Sequence, residues 1–340
     1  MVYDEIVAVE RRNRDWRRVH YEQEVRNNPL NYDSWLAYIG LEESAAANKH
    51  RIRELFRRAT ANVPPVPELY RDGKLRWRRY VDLWIYYATY EEGSGGDARQ
   101  VYEQCLAVIP HDKFSFAKVW LLAAGLELRQ GNLKGARKIL ATAMRTAPKP
   151  KIFIKCIEME MKLGNLNQCR KLYEKYVCWK PQNWDGWVKY AEFERALGET
   201  ERVRALFELG IQQPETDLRE RLWSAYIEFE ISEGEFERTR KLYERLLDCS
   251  KDVRVWISYA RFEAQENHSI EHATMVFSRA ARYLKAWGRS QEERNMLGQV
   301  WLDMEASFGD LGLKSWIKMF KIEEKSYSIS RLWPPDRVVN

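Results

Sequence analysis

Along most of the chain, bulky apolar residues recur at intervals of three and four, with charged residues filling the positions between them. The unit is an anchor ring, apolar residues three and six places later, and a glutamate at the seventh. It reads Trp35, Tyr38, Leu41, Glu42; then Trp84, Tyr87, Tyr90, Glu91; then Trp120, Ala123, Leu126, Glu127. Phe153, Cys156, Met159, Glu160 follow, then Trp187, Tyr190, Phe193, Glu194; Trp223, Tyr226, Phe229, Glu230; and Trp256, Tyr259, Phe262, Glu263. An eighth copy is weaker, with Gly298 at the anchor and then Trp301, Met304 and Glu305. At about 100° per residue, positions three and seven return to within roughly 60° of the anchor, so each copy predicts a helix with one largely aromatic stripe.

A second element follows each stripe. A small or apolar residue precedes Arg, then come one residue, a branched aliphatic, an aromatic and Glu, as in Ala98, Arg99, Val101, Tyr102, Glu103 and in Thr239, Arg240, Leu242, Tyr243, Glu244. Proline closes the unit at Pro64, Pro110, Pro148 and Pro181, each 11 residues after its Arg, and at Pro214, 10 after Arg204. Proline there stops a helix. From Trp84 to Trp256 the anchors lie 33 to 36 residues apart, enough for two short helices and their turns, whereas the first spacing is 49. Neither helix of such a hairpin can bury its stripe alone. Stacking on the next hairpin is therefore obligatory, and the expected fold is all-α: a right-handed superhelix of tandem αα hairpins. The recurring +7 Glu and second-helix Arg are expected to pair, or to cap backbone groups, where helices cross; Glu194 with Arg204 is the pair to test.

Arg18, Tyr21, Glu22 and Pro29 repeat the second-helix pattern without a first helix before them. Residues 1–29 are accordingly expected to be a half-repeat, 30–325 about eight tandem repeats, and 326–340 a partly ordered cap. The unpaired half-repeat suggests a fragment of a longer array.

Composition narrows the function classes. Among 340 residues, 45% are hydrophobic and 31% charged, which suits a folded chain with much exposed surface. No leader-like start and no apolar run of about 18 residues is present, so no membrane partner is expected. The five cysteines include no C-x-x-C pair, which points to reduced thiols rather than zinc or redox chemistry.

The formal charge of +6 is unevenly spread. Residues 128–157 hold eight basic residues and no acid; Lys134, Lys138 and Arg145 fall on one helix face, with Arg137 beside them and Lys149 and Lys151 extending the line. A phosphate backbone could track it. A second cluster sets Trp77 among Arg76, Arg78 and Arg79, which offers a base-stacking ring beside phosphate contacts. An acidic protein segment suits the same charges.

His268, Glu271 and His272 spell H-x-x-E-H, the string with which one zinc-hydrolase class supplies two metal ligands and a base. Aligned on the repeat, His272 takes the place of Arg238 on an ordinary second helix, so the string is read as coincidence. Phosphate-loop, nucleophile-elbow and dinucleotide motifs are missing. No catalytic residue, metal or cofactor is assigned.

These residues resemble the HAT (half-a-TPR) repeat, a tetratricopeptide-like unit with aromatic anchors and a first-helix Glu. Stretches such as NPLNYDSWLAYIGLEE and RLWSAYIEFEISEGEFERTRKLYERLL resemble the crooked-neck family of splicing scaffolds. The resemblance implies a nuclear, non-enzymatic scaffold of the nineteen complex. Its implied partners are a second HAT-repeat splicing factor, a Myb-domain splicing factor and small nuclear RNA or pre-mRNA. The same repeat would also serve messenger RNA 3'-end cleavage or ribosomal RNA processing.

Replacing an anchor ring tests the stacking reading. Trp187→Ala is expected to cost about 3–5 kcal/mol, measured by denaturant unfolding, with the loss concentrated in adjacent repeats.

Overall fold

The computed structural model describes residues 2–45, 48–66, 70–213, 216–266, 269–287 and 290–308. Over these residues the chain forms sixteen α-helices and no strand. Two compact units emerge, residues 1–176 and 177–340. The first holds α1 (Val2–Asn27), α2 (Tyr32–Ser44), α3 (Lys49–Thr60), α4 (Tyr70–Ser94), α5 (Ala98–Val108), α6 (Ala117–Arg129), α7 (Leu133–Thr146), α8 (Pro150–Lys162) and most of α9 (Leu166–Trp179). The second completes α9 and adds α10 (Trp184–Ala196), α11 (Thr200–Ile211), α12 (Thr216–Ser232), α13 (Phe236–Cys249), α14 (Val253–Gln265), α15 (Ile270–Ala286) and α16 (Gln291–Phe308). Residues 309–340 lie outside the described residues, and with them the expected cap at 326–340.

Even-numbered helices carry the anchor stripe, and the odd-numbered ones from α1 to α13 carry the Arg motif, with Thr274 in the arginine's place on α15. All seven anchors, Trp35, Trp84, Trp120, Phe153, Trp187, Trp223 and Trp256, are buried. The closing prolines act as expected: α1, α3, α5, α7 and α9 all end shortly before Pro29, Pro64, Pro110, Pro148 and Pro181. Two prolines have a further role, because the carbonyls of Pro29 and Pro181 accept the indole N–H of Trp35 and Trp187 at 3.0 and 2.8 Å. The long first spacing is also explained. Helix α4 begins well before its anchor, and its extra turns bury Trp77, Tyr80 and Val81.

In five hairpins the turn is set by a glycine four places after the +7 glutamate. Gly131 and Gly164 sit at φ 74° and 70°, a left-handed conformation that a Cβ would penalise. The following amides of Asn132 and Asn165 then reach back to the carbonyls of Glu127 and Glu160 at 2.8 and 3.0 Å, closing the helix end. Gly95, Gly198 and Gly234 build the same turn.

Hairpins are joined by a two-part contact. In one part, the aromatic of a second helix stacks on the ring three places after the next anchor: Phe56 on Tyr87 at 4.6 Å, Phe207 on Tyr226 at 5.0 Å and Tyr243 on Tyr259 at 4.8 Å. Phe277 on Trp301 at 5.3 Å follows the same rule and fixes the register of the weak eighth copy. In the other part, the motif arginine donates both arms of its guanidinium to the +7 glutamate of the following hairpin. Arg18 binds Glu42, Arg53 binds Glu91, Arg99 binds Glu127 and Arg137 binds Glu160; in the second unit Arg204 binds Glu230 and Arg240 binds Glu263. Pairing therefore holds in kind, but the Glu194–Arg204 assignment is corrected. Arg204 is held by Glu230, with Nε to Oε1 at 2.8 Å, because the second helix turns its arginine toward the neighbour rather than toward its own hairpin.

Burial thiols follow from the packing. Cys105, Cys156 and Cys169 are buried, and loss of solvent pushes the first two up to about 12 and about 11, so they act as small apolar residues.

Glu230 is fully buried, and its loss would leave Arg204, itself nearly buried, with only the more exposed Glu201 and Glu235 as partners. Glu230→Ala is expected to destabilise the second unit by about 3–5 kcal/mol. A double-mutant cycle with Arg204→Ala should give a coupling of about 2–3 kcal/mol, whereas one between Arg204 and Glu194 should give none comparable.

Candidate nucleic-acid interface

The first basic cluster begins on α7, whose N-cap Asn132 accepts the Gly135 amide. On a regular helix Lys134, Lys138 and Arg145 fall within about 40° of one another around its axis. All three are exposed, and none holds an ion pair among the described residues. Lys151 is exposed on the first turn of α8. These four cations form the accessible part of the predicted line.

Two members are withdrawn from it. Arg137 belongs to the hairpin joint, with Nε and Nη2 each 2.7 Å from the Glu160 carboxylate. Lys149 is only half-exposed and donates its ammonium to the Ser115 carbonyl. Both were expected among the contacts because sequence shows a run of charge and not which side of the helix it faces.

The second cluster is altered more deeply. Arg76, Arg78 and Arg79 are exposed on the N-terminal half of α4, and Arg79 lies 3.5 Å from Asp33. Trp77 is 1% exposed, edge-on to Tyr80 at 5.6 Å and Phe114 at 5.2 Å, with its indole N–H on the Pro65 carbonyl at 3.2 Å. It is a core residue and cannot stack on a base. Its register explains why: Trp77, Tyr80 and Trp84 are spaced three and four apart, which places Trp77 on the apolar stripe that leads into the anchor.

Both clusters meet the turn between α5 and α6. Phe114 of that turn packs on Trp77, and Ser115 of the same turn receives Lys149. His111 holds the turn from within, bonding the Ser115 hydroxyl at 2.9 Å and the Leu106 carbonyl at 3.0 Å, and burial lowers its basicity. Trp77 of α4 and Lys149 just before α8 thus contact adjacent residues of one turn, a link that sequence spacing did not reveal.

Of the H-x-x-E-H string, His268 lies outside the described residues. Glu271 and His272 are exposed, and the His272 Nδ1 lies 2.6 Å from the Ser269 hydroxyl that caps α15. Among the described residues no group of three His, Cys, Asp or Glu side chains could hold a metal ion, and no helix is long and apolar enough to cross a membrane.

The family model of the C-terminal HAT repeat of the pre-mRNA-splicing factors Syf1 and CRNKL1 matches residues 75–246, half of the chain. The chain belongs to this HAT-repeat family. The C-terminal HAT repeat of PRP39 also matches, over residues 212–296. Crooked neck-like protein 1 of Homo sapiens is 45% identical over 298 residues, covering 86% of this chain and 34% of that protein. Protein crooked neck of Drosophila melanogaster is 46% identical over 306 residues, 86% of this chain and 43% of that protein. Pre-mRNA-splicing factor CLF1 of Paracoccidioides brasiliensis is 44% identical over 312 residues, 86% and 45%. The chain spans less than half the length of these relatives.

In this HAT array two joint glutamates, Glu160 and Glu127, titrate low. The Arg137 guanidinium, with Asn165 at 2.7 Å, holds the Glu160 carboxyl below its ordinary value of 4.5, and Arg99 with Asn132 does the same for Glu127. A carboxyl depressed in the folded state stabilises fully above its unfolded value and loses that contribution as pH falls through the folded one. Thermal midpoints of the wild-type chain are expected to fall steeply on acidification below about pH 4.5, and Glu160→Gln should lower the neutral-pH midpoint while flattening that acid limb.

Proposed function

We propose that this chain is a non-enzymatic scaffold segment working in pre-mRNA splicing, in the nucleus. One observation carries the reading: a splicing-factor HAT repeat matches half of the chain, and proteins named crooked neck and CLF1 are 44–46% identical over most of it. The geometry agrees with it. Rings and guanidinium–carboxylate forks are spent on joining hairpins, which leaves the exposed helix faces for partners. Those partners are proteins of the nineteen complex, among them a second HAT-repeat factor and a Myb-domain factor. RNA contact falls to Lys134, Lys138, Arg145 and Lys151, with Arg76, Arg78 and Arg79 as a second patch; such contacts attract phosphate without reading sequence.

Affinity purification of the tagged chain from nuclear extract, followed by protein identification, is expected to enrich spliceosomal proteins. Enrichment of 3'-end cleavage or ribosomal RNA processing proteins in their place would overturn the reading. Single-stranded RNA binding, followed by fluorescence anisotropy, should weaken as salt rises and drop at least tenfold in the triple variant Lys134→Glu, Lys138→Glu, Arg145→Glu. Unchanged affinity in that variant removes the α7 face from the interface.

A further inference from the structure

A second, more exposed set of ion pairs, an interrupted outer ladder, joins successive second helices at three steps. Glu22 of α1 binds Arg58 of α3 at 2.8 Å, Glu208 of α11 binds Arg245 of α13 at 2.7 and 2.9 Å, and Glu244 of α13 binds Arg279 of α15 at 2.6 and 2.8 Å. In each case the arginine also lies over the intervening anchor ring: Arg58 over Trp35 at 5.4 Å, Arg245 over Trp223 at 5.2 Å and Arg279 over Trp256 at 5.4 Å. The acid stands four places after the motif arginine of one helix, and the base five places after that of the next. A cation held between a carboxylate and a ring seals the groove between two second helices.

At two steps of the first unit the acid is missing. Between α3 and α5 the two positions are Arg57 and Gln104; between α7 and α9 they are Ala141 and Lys175. Grooves of about 900 and 890 Å³ open at these steps. The α7–α9 groove differs from the other in its charge. Lys171 and Lys175 on its α9 side are exposed and hold no ion pair among the described residues, whereas Gln104 is neutral and Arg57 lies 3.5 Å from Glu54. Its floor is apolar, with Met144, Cys156 and Leu172, and its acid Glu160 is already bound by Arg137 and Asn165.

We propose that the α7–α9 groove is a docking site for an acidic segment of a partner protein, one of whose carboxylates takes the place of the absent ladder glutamate on Lys175 and Lys171. An apolar neighbour of that carboxylate fills the space beside Ala141 over Met144. The chemistry favours peptide over RNA. The groove presents an apolar floor and no exposed ring for a base to stack on, while its free cations stand where this fold elsewhere places a carboxylate partner. Of the α7 residues that line it, Arg137 and Met144 lie about 60–120° around the helix from Lys134, Lys138 and Arg145, while Ala141 stands between the two sets. The groove therefore borders the RNA face without including its cations, and the proposal stands whether or not the splicing reading does.

The test is fluorescence anisotropy of the whole chain with a labelled peptide of alternating Glu and Leu, beside its Gln/Leu counterpart, at 150 mM salt (~8 Å Debye length). Saturable binding of the Glu peptide is expected, with affinity about tenfold lower for the Gln peptide and for Lys175→Gln. Ala141→Glu restores the ladder from within, so it should abolish binding while leaving helicity and thermal midpoint equal or higher. Lys134→Gln with Lys138→Gln should weaken peptide binding by less than Lys175→Gln does, since those charges border the groove without lining it. Equal binding of the Gln peptide, no saturation at millimolar peptide, or full binding retained by a folded Ala141→Glu chain overturns the proposal. So does single-stranded RNA that competes for the groove and is lost in Lys175→Gln.

Discussion

A glutamate buried at the seventh place after each anchor constrains everything else in this chain. Placed among rings and away from water, such a carboxylate is costly unless its charge and lone pairs are met. The arginine of the preceding hairpin meets them with a bidentate fork, to which in two copies an asparagine of the turn adds a bond at 2.5–2.7 Å; the glutamate's backbone carbonyl separately receives the amide that follows the left-handed glycine. One residue thus ties the end of its own helix, the turn after it and the hairpin before it. The stacked rings beside it add packing that is specific in orientation, worth about 0.5–1.5 kcal/mol per pair beyond the area buried. Cooperation between neighbours follows directly, since no hairpin completes its own polar network.

Much of this was legible in the sequence because it repeats. Anchor rings, motif arginines and closing prolines announce the hairpins, and their alternation gives an all-α chain without any appeal to a known fold. Which arginine meets which glutamate was not legible. Glu194 lies 10 residues before Arg204 and Glu230 lies 26 after it, and the repeat period is compatible with either partner; only the direction in which the second helix faces decides. The turn glycines were overlooked although they keep a fixed distance from the glutamate, as Gly131 does from Glu127 and Gly234 from Glu230. That regularity was a usable signal.

The basic clusters show the other limit. Charge composition located the exposed cations of α7 and α4 but could not separate Lys134, which faces water, from Arg137 three places on, which faces the next hairpin. Trp77 lies among arginines in sequence, which suggests a surface ring, yet its spacing to Tyr80 and Trp84 places it on the buried stripe. Where the outer ladder has both its acid and its arginine, the second helices are bound to one another; where Ala141 replaces that acid, the fold holds but a charged groove remains. Loss of one carboxylate at a repeated position is a small change in sequence and a large one in surface, and it marks where a regular array becomes an individual protein.

The central claim is that each hairpin is completed by its neighbour through the ring stack and the buried fork. Native-state hydrogen exchange on the second unit of Tyr243→Ala tests it most directly, read helix by helix. The account predicts that protection falls most in α13 and α14, less in α12 and α15, and little in α10 and α11, a graded loss centred on one joint. Loss confined to α13 alone, or equal loss from α10 to α16, would contradict it.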